Sequence, residues 1–132
     1  AARVHSDWYS RHSSLYQPKT VELIKQGAAT SHRDLKYALR GRAKLRNELT
    51  QLMDDHNIDL WMSPSATGTA PKGLASTGNP VMNLPWTHSG LPTLSLPSGK
   101  GENKLPLGMQ LAARYCEDEA LFAWAAKIEE VL

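Results

Sequence analysis

The stretch LPTLSLPSGKGENKLPLGMQLAA, residues 91–113, decides the fold of this chain. It holds two short apolar runs, Thr93–Leu96 and Leu107–Ala112, and a proline stands directly before each of them. Short apolar runs bounded by proline and glycine are typical of buried strands, because a run of this length is too short for a stable helix. A third run, Ile58–Met62, is followed by Ser63-Pro64. The sequence therefore predicts three strands.

Helices are predicted on both sides of this strand-rich part. Residues 63–108 hold seven of the eight prolines and seven of the nine glycines, which break helices and set turns. The chain is therefore expected to divide into a helical part at 1–56, a strand-rich and loop-rich part at 57–112 and a C-terminal helix. The predicted helices span residues 2–16, 18–27, 32–56 and 117–132.

The helix at 32–56 has the clearest signals. Ser31 is a good N-cap, because its hydroxyl can accept a backbone N–H that the first turn leaves free. Asp34 follows three residues later, where a carboxylate complements the cap and the helix dipole. Leucines then recur at helical spacing. Three strands that are apolar enough to be covered on both faces, together with these helices, predict an α/β fold.

Composition excludes several classes of protein. The chain has 132 residues, of which 41% are hydrophobic and 21% charged, and its net charge is +2. This is a globular balance, no apolar run is long enough to cross a membrane, and the start lacks the apolar core of a signal peptide. The single cysteine, Cys116, cannot form an internal disulfide, which fits a reducing compartment, and we expect a cytoplasmic location. The five histidines are scattered, so no metal site is expected.

The search for catalytic residues finds no nucleophile. Ser89 and Ser98 lack the flanking glycines of a nucleophile elbow, and the chain has no S-x-x-K pattern. His88 stands beside Ser89, but adjacent residues seldom point at each other, and the residues favour a loop histidine that packs near a proline-rich turn. A substrate-pocket role for the loop Trp86-Thr87-His88 is the alternative, because binding residues gather on loops. Cys116 is interpreted as a small apolar filler.

A row of basic side chains lies on the helix at 32–56. It could meet phosphates, but a solvated face opposite the leucines is the simpler interpretation, and we expect no nucleic-acid partner. Arg42 falls nearer the apolar side and is expected to pair with a buried carboxylate or carbonyl. No glycine-rich phosphate loop is present, so no nucleotide cofactor is expected. The basic residues are Arg33, Lys36, Arg40, Arg42, Lys44 and Arg46.

Three stretches, in this order, resemble the C-terminal part of the amidase signature family. They are DLWMSPSA at 59–66, PWTHSGLPTLSLP at 85–97 and LPLGMQL at 105–111. The family includes fatty acid amide hydrolase and the amidotransferase subunit that frees ammonia from glutamine. The resemblance implies helices packed on a short mixed β-sheet that would be part of the larger amidase signature sheet. Residues 1–132 would be the C-terminal part of that α/β domain.

The resemblance also implies a function, the hydrolysis of carboxamide C–N bonds. The family uses a serine nucleophile, a second serine in a cis peptide and a lysine, and none of these can be placed on this sequence, so no catalytic residue is expected here. Trp86, Thr87 and His88 are expected to bind substrate, with Trp86 as an apolar wall. Where the family often has Asn, this chain has Thr87. Gly90 and Gly108 would serve tight turns or close backbone approach.

The expected partners follow from the same resemblance. They are the remainder of an amidase polypeptide or another copy of the chain, with a small amide substrate in the intact enzyme and no cofactor. The alternative is a non-catalytic interaction module that binds a partner through an open sheet edge or an apolar helix face.

Overall fold

The structure, a computed structural model, describes all residues 1–132. It contains five α-helices, two short 3-10 turns and three strands. They group into two compact units, Ala1–Gly41 and Arg42–Leu132. No helix is long and apolar enough to cross a membrane. The helices are α1 (Ala2–His12), α2 (Pro18–Ala29), α3 (His32–Asp55), α4 (Leu84–Ser89) and α5 (Asp118–Glu129), the turns are Ser13–Leu15 and Pro80–Met82, and the strands are β1 (Trp61–Pro64), β2 (Thr93–Lys100) and β3 (Pro106–Ala112).

In the first unit, α1 packs against α2 at a point of close approach. A side chain at Gly27 would bring its Cβ within 3.0 Å of the Ala2 Cβ, so the small residues let the two helices meet. The predicted helix over 2–16 ends as a regular helix at His12 and continues as a 3-10 turn. Beyond that turn Tyr16 folds back, and its ring contacts His5 and Tyr9 edge to face. This return of the chain explains why the helix is shorter than predicted.

The start of α3 confirms the predicted cap. The Asp34 backbone N–H donates to Ser31 Oγ at 3.1 Å, and the Ser31 hydroxyl donates to Asp34 Oδ2 at 2.7 Å. At the other end Asn57 has φ 53°, and the Ile58 N–H donates to the Met53 carbonyl at 2.8 Å. This is a Schellman closure, in which a left-handed residue lets the chain satisfy the last free carbonyls.

That closure corrects the first predicted strand. Ile58 was expected to start it, but its backbone N–H is used by α3 and its carbonyl accepts from Arg114 Nη2 at 3.0 Å. Strand pairing begins only at Trp61, and β1 runs on to Pro64. The other two strands lie where they were predicted, although β2 extends four residues further than expected, to Lys100.

The three strands form one antiparallel sheet in the order β1-β3-β2. The α/β class is confirmed, and the parallel pairing that a mixed sheet needs does not occur among these three strands. Leu111 lies between Met62 and Leu94, and Gln110 lies between Ser63 and Ser95. The sheet therefore has one apolar face and one polar face.

Helix α5 covers the apolar face. Only the central strand is buried on both faces. The side chains from Gln110 to Ala112 point alternately to the two faces, and all three residues are buried. The edge strands are less covered than predicted: Met62 is 62% exposed, and Thr93 and Ser95 are exposed. The core cluster consists of Leu96, Leu111, Ala113, Leu121 and Ala125.

Candidate functional site

The segment expected to bind substrate is a helix and not the predicted loop. Helix α4 has Pro85 in its first turn, where the missing N–H would have had no partner in any case. It ends at Gly90, which has φ 75° and donates its N–H to the Trp86 carbonyl at 2.7 Å. Proline near the start and glycine just past the end of a six-residue stretch are the helix signals that the prediction missed.

The structure places the three predicted site residues on different sides of α4. Successive residues of a helix point about 100° apart. Trp86 is partly buried, and its indole nitrogen is fully enclosed, whereas Thr87 and His88 are exposed. Ser89 is buried and its hydroxyl donates to the Pro85 carbonyl at 2.8 Å, so that its proton is bound by the backbone and not by His88. The helix therefore turns Trp86 inward and presents Thr87 and His88 outward.

The N-terminal end of α4 is fixed to the sheet by a pair of amide side chains that the sequence pattern does not predict. Gln110 Nε2 donates to Asn83 Oδ1 at 2.8 Å, and Asn83 Nδ2 donates to the Ser65 carbonyl at 3.3 Å. Gln110 is only 4% exposed. A glutamine inside an apolar strand was the available signal, because such a residue is seldom buried without a partner.

The C-terminal end of α4 is held by two arginines of α3. Arg42 Nε donates to the His88 carbonyl at 3.2 Å, and Arg46 Nε donates to the Ser89 carbonyl at 2.7 Å. Arg42 thus pairs with a carbonyl, one of the two partners expected for it, although at an exposed position. Helix α4 is therefore anchored at both ends.

Four buried polar atoms have no hydrogen-bond partner within the chain. They are Trp61 Nε1, Ser63 Oγ, Trp86 Nε1 and Gln110 Oε1. Ser63 lies opposite Gln110 in the sheet, and Trp61 lies two residues before Ser63, so these three share the polar face. An unpaired buried polar group costs about 1–3 kcal/mol. Within this chain, the polar face therefore has buried groups without hydrogen-bond partners, whereas the apolar face is covered by α5.

Two cavities lie beside the edge of the sheet. One of about 490 Å³ is largely apolar and is lined in part by Met62, Met82 and Met109. The other, of about 470 Å³, is lined by the long loop that includes residues 66–71 and by Asn83. Neither cavity is lined by Trp86, Thr87 or His88. No group of three or more metal-ligating side chains occurs in the chain.

Both glycines singled out in the sequence take the predicted roles. Gly90 supplies the left-handed turn described above. At Gly108 a Cβ would lie 2.7 Å from Ser65 Oγ, a hydroxyl that donates to Ser95 Oγ at 2.9 Å. Only glycine leaves room for this serine pair beside β3.

Replacement of Gly90 by alanine is expected to lower the free energy of unfolding by about 1–2 kcal/mol, because an L-residue pays that cost in the left-handed region. The new Cβ would also lie 3.1 Å from Arg46 Nη2. Urea denaturation followed by circular dichroism measures the change. Gly68→Ala is the matched control, since nothing lies within 4 Å of a Cβ there, and it should change stability by less than about 0.5 kcal/mol. Equal effects of the two substitutions would contradict the prediction.

Comparison with known proteins gives a consistent result. A family model described as Amidase matches residues 3–122. Among curated relatives, a glutamyl-tRNA(Gln) amidotransferase subunit from Trichormus variabilis is 36% identical over 81 residues, which are 56% of this chain and 17% of the relative. The corresponding subunit from Wolinella succinogenes is 32% identical over 102 residues, which are 72% of this chain and 22% of the relative. The chain thus spans about a fifth of the length of these relatives.

Solved structures agree with the relatives. A crystal structure of an amidase superposes on all of this chain with a TM-score of 0.83 and 29% sequence identity, and the match covers 32% of that protein. A vestigial protein complex, described as revealing the evolutionary origins of an s-triazine catabolic enzyme, shares the fold over 91% of this chain, with a TM-score of 0.75 at 22% identity.

Proposed function

Because this chain belongs to the amidase family, we propose that it forms the C-terminal part of an amidase that hydrolyses a carboxamide C–N bond. Residues 1–132 would act as one structural part of that enzyme. The serine nucleophile, the second serine and the lysine that the family resemblance implies would lie in a part of the enzyme outside these residues. Cys116 is an exposed free thiol and not the small apolar filler that the sequence suggested, and a free thiol is compatible with the cytoplasmic location that we propose.

The observation that carries this proposal is the extent of the structural match. All of this chain superposes on about a third of an amidase, at a sequence identity of 29%. An independent domain with a different role would not be expected to superpose on part of an amidase over its whole length with this TM-score. The incomplete sheet supports the same conclusion, because β1 and β2 are both edge strands whose outer sides have no strand partner in this chain.

In the proposed enzyme, this chain supplies scaffold and one wall of the substrate cleft. Helix α4 would form that wall, with Thr87 and His88 at its exposed side and the part of the Trp86 ring that is not buried as an apolar surface. We expect no nucleophile from the nearby serines, because none of them has a basic side chain as hydrogen-bond partner: Ser89 donates to a backbone carbonyl, and Ser65 donates to Ser95. A small carboxamide is the proposed substrate, and the remainder of the amidase polypeptide, or another copy of the chain, is the proposed partner.

The proposal is tested with the complete polypeptide that its coding region encodes. We expect a fluorophosphonate probe to label one serine of that polypeptide and to abolish its amide hydrolysis, since the probe reacts with activated serine nucleophiles. Peptide mass spectrometry should locate the labelled serine outside residues 1–132. A labelled serine within residues 1–132, or amide hydrolysis that survives full labelling, would overturn the assignment of the catalytic groups.

The alternative, a non-catalytic interaction module, is favoured by the two open sheet edges alone. A self-sufficient module should elute as a monomer in size-exclusion chromatography with light scattering. A severed part of an enzyme should aggregate or exchange elements into an oligomer, because its edge strands seek partners. The same measurement therefore separates the two functions.

A further inference from the structure

Two arginines of α3, Arg42 and Arg46, bind the C-terminal end of α4. Arg42 and Arg46 are four residues apart, so they project from the same side of α3. They donate to the carbonyls of two successive residues, His88 and Ser89. These carbonyls lie at the end of a helix, where its partial negative charge is concentrated and where cations are stabilising.

Arg46 is the more tightly held of the two arginines. It is partly buried, its guanidinium carbon lies 3.5 Å from the ring centre of Tyr115, and its hydrogen bond to Ser89 is 2.7 Å long. A Cβ at Gly90 would lie 3.1 Å from Arg46 Nη2, so the glycine leaves room for the guanidinium. Neither arginine forms an ion pair with a carboxylate. Both guanidinium groups therefore donate hydrogen bonds to α4, and that of Arg46 also packs on the Tyr115 ring.

Helix α4 depends on such contacts for its position. It has six residues, and isolated helices shorter than about 12–15 residues are marginal in water. Its internal and capping bonds include Thr87 N–H to the Asn83 carbonyl and Gly90 N–H to the Trp86 carbonyl. At its start the side chain of Asn83 is tied to the sheet. At its end only the arginines of α3 tie it to a neighbouring element through side-chain hydrogen bonds.

We infer that Arg46, assisted by Arg42, is a positioning residue for substrate binding. It fixes the end of α4 so that Thr87 and His88 face the substrate cleft at one place and in one orientation. This inference rests on the proposed function, which puts α4 beside the substrate. The arginines themselves act through the helix and do not touch the substrate.

The first arm of the test measures how firmly α4 is held. Hydrogen exchange of the Thr87 and Gly90 amides should become about tenfold faster or more in Arg46→Met, because a hydrogen bond from a charged donor is lost. Exchange of the β3 amides should change by less than about twofold. Lys44→Met is the matched control on the same helix, since Lys44 is exposed and reaches only Glu48. Unchanged protection of α4 in Arg46→Met would overturn the inference.

The second variant guards against a folding defect. Arg42 is exposed, so Arg42→Met should fold normally and lose only the bond to the His88 carbonyl. We expect a smaller increase in exchange at Gly90, of about two- to fivefold, in this variant. An Arg42→Met protein that exchanges like the wild type would remove Arg42 from the proposal and contradict the paired role.

The third arm uses steady-state kinetics of the complete amidase polypeptide that carries this chain. Arg46→Met should raise KM about tenfold with kcat within about twofold, as expected when binding geometry is lost and the bond-breaking groups are intact. Faster exchange with an unchanged KM would overturn the positioning role. A wild-type polypeptide that exchanges as described but hydrolyses no amide would instead sink the proposed function.

Discussion

The isolated 132-residue chain is expected to hydrolyse no carboxamide above the uncatalysed rate and to take up no fluorophosphonate probe. None of the serines at its candidate site has a basic side chain as hydrogen-bond partner: Ser89 bonds to a backbone carbonyl, Ser65 bonds to Ser95, and Ser63 Oγ has no partner. Enzymes accelerate reactions by at least about a million-fold, so the difference from the complete polypeptide should span that range. Release of ammonia from simple amides, followed by a coupled assay, measures it.

The control for this experiment is the complete polypeptide under the same conditions, which should both turn over substrate and label with the probe. Stoichiometric labelling of one serine in the isolated chain would show that these residues contain their own nucleophile. That result would also require a catalytic base close to the labelled serine.

Leu111→Ala is expected to lower the free energy of unfolding by about 2–5 kcal/mol. Leu111 has no exposed surface, lies at the centre of the sheet between Met62 and Leu94, and belongs to the core cluster under α5. Its truncation would leave a cavity that the paired strands on both sides cannot close. A loss of this size is a large fraction of the stability of a small domain, which is about 5–15 kcal/mol.

Leu74→Ala is the matched control, because it makes the same chemical change at a side chain that is fully exposed in the loop after β1. Urea denaturation of the complete polypeptide should show a change of less than about 0.5 kcal/mol for this variant. Comparable losses for the two variants would mean that the sheet core does not hold the structure together.

The sequence was informative wherever a local signal and the tertiary structure agree. The Ser31–Asp34 pair predicts the start of α3, because a cap is satisfied by groups three residues apart and needs no distant partner. The strands β2 and β3 follow in the same way from apolar runs set off by prolines. The α/β class follows from these elements.

The predictions were wrong where contacts between residues far apart in sequence determine the structure. The end of α3 takes the N–H of Ile58 and Arg114 takes its carbonyl, so the apolar run starting there could not join the sheet until Trp61. Arg114 lies 56 residues away in sequence, and no local pattern announces it. Helix α4 was not predicted for another reason: Pro85 and Gly90 are typical of helix breakers, although their positions at the two ends are those that a helix accepts.

The candidate site was only partly predictable. The family resemblance pointed to residues 86–88, and the structure places them on one helix but on different sides of it. The contacts that fix this helix join α3, α4 and β3, whose residues are far apart in sequence. One sequence does not show which of these side chains bind each other, because each of them taken alone is also compatible with a solvated surface.

The central place of β3 in the sheet has a consequence for biosynthesis. The strands β1 and β2 bond only to β3, and β3 comes last in the sequence. A ribosome that adds about 5–20 residues per second will therefore finish β1 a few seconds before β3, its strand partner within this chain, exists. During that interval the nascent apolar segment lacks its β3 partner, and a chaperone that shields it on the emerging polypeptide should raise the yield of folded protein.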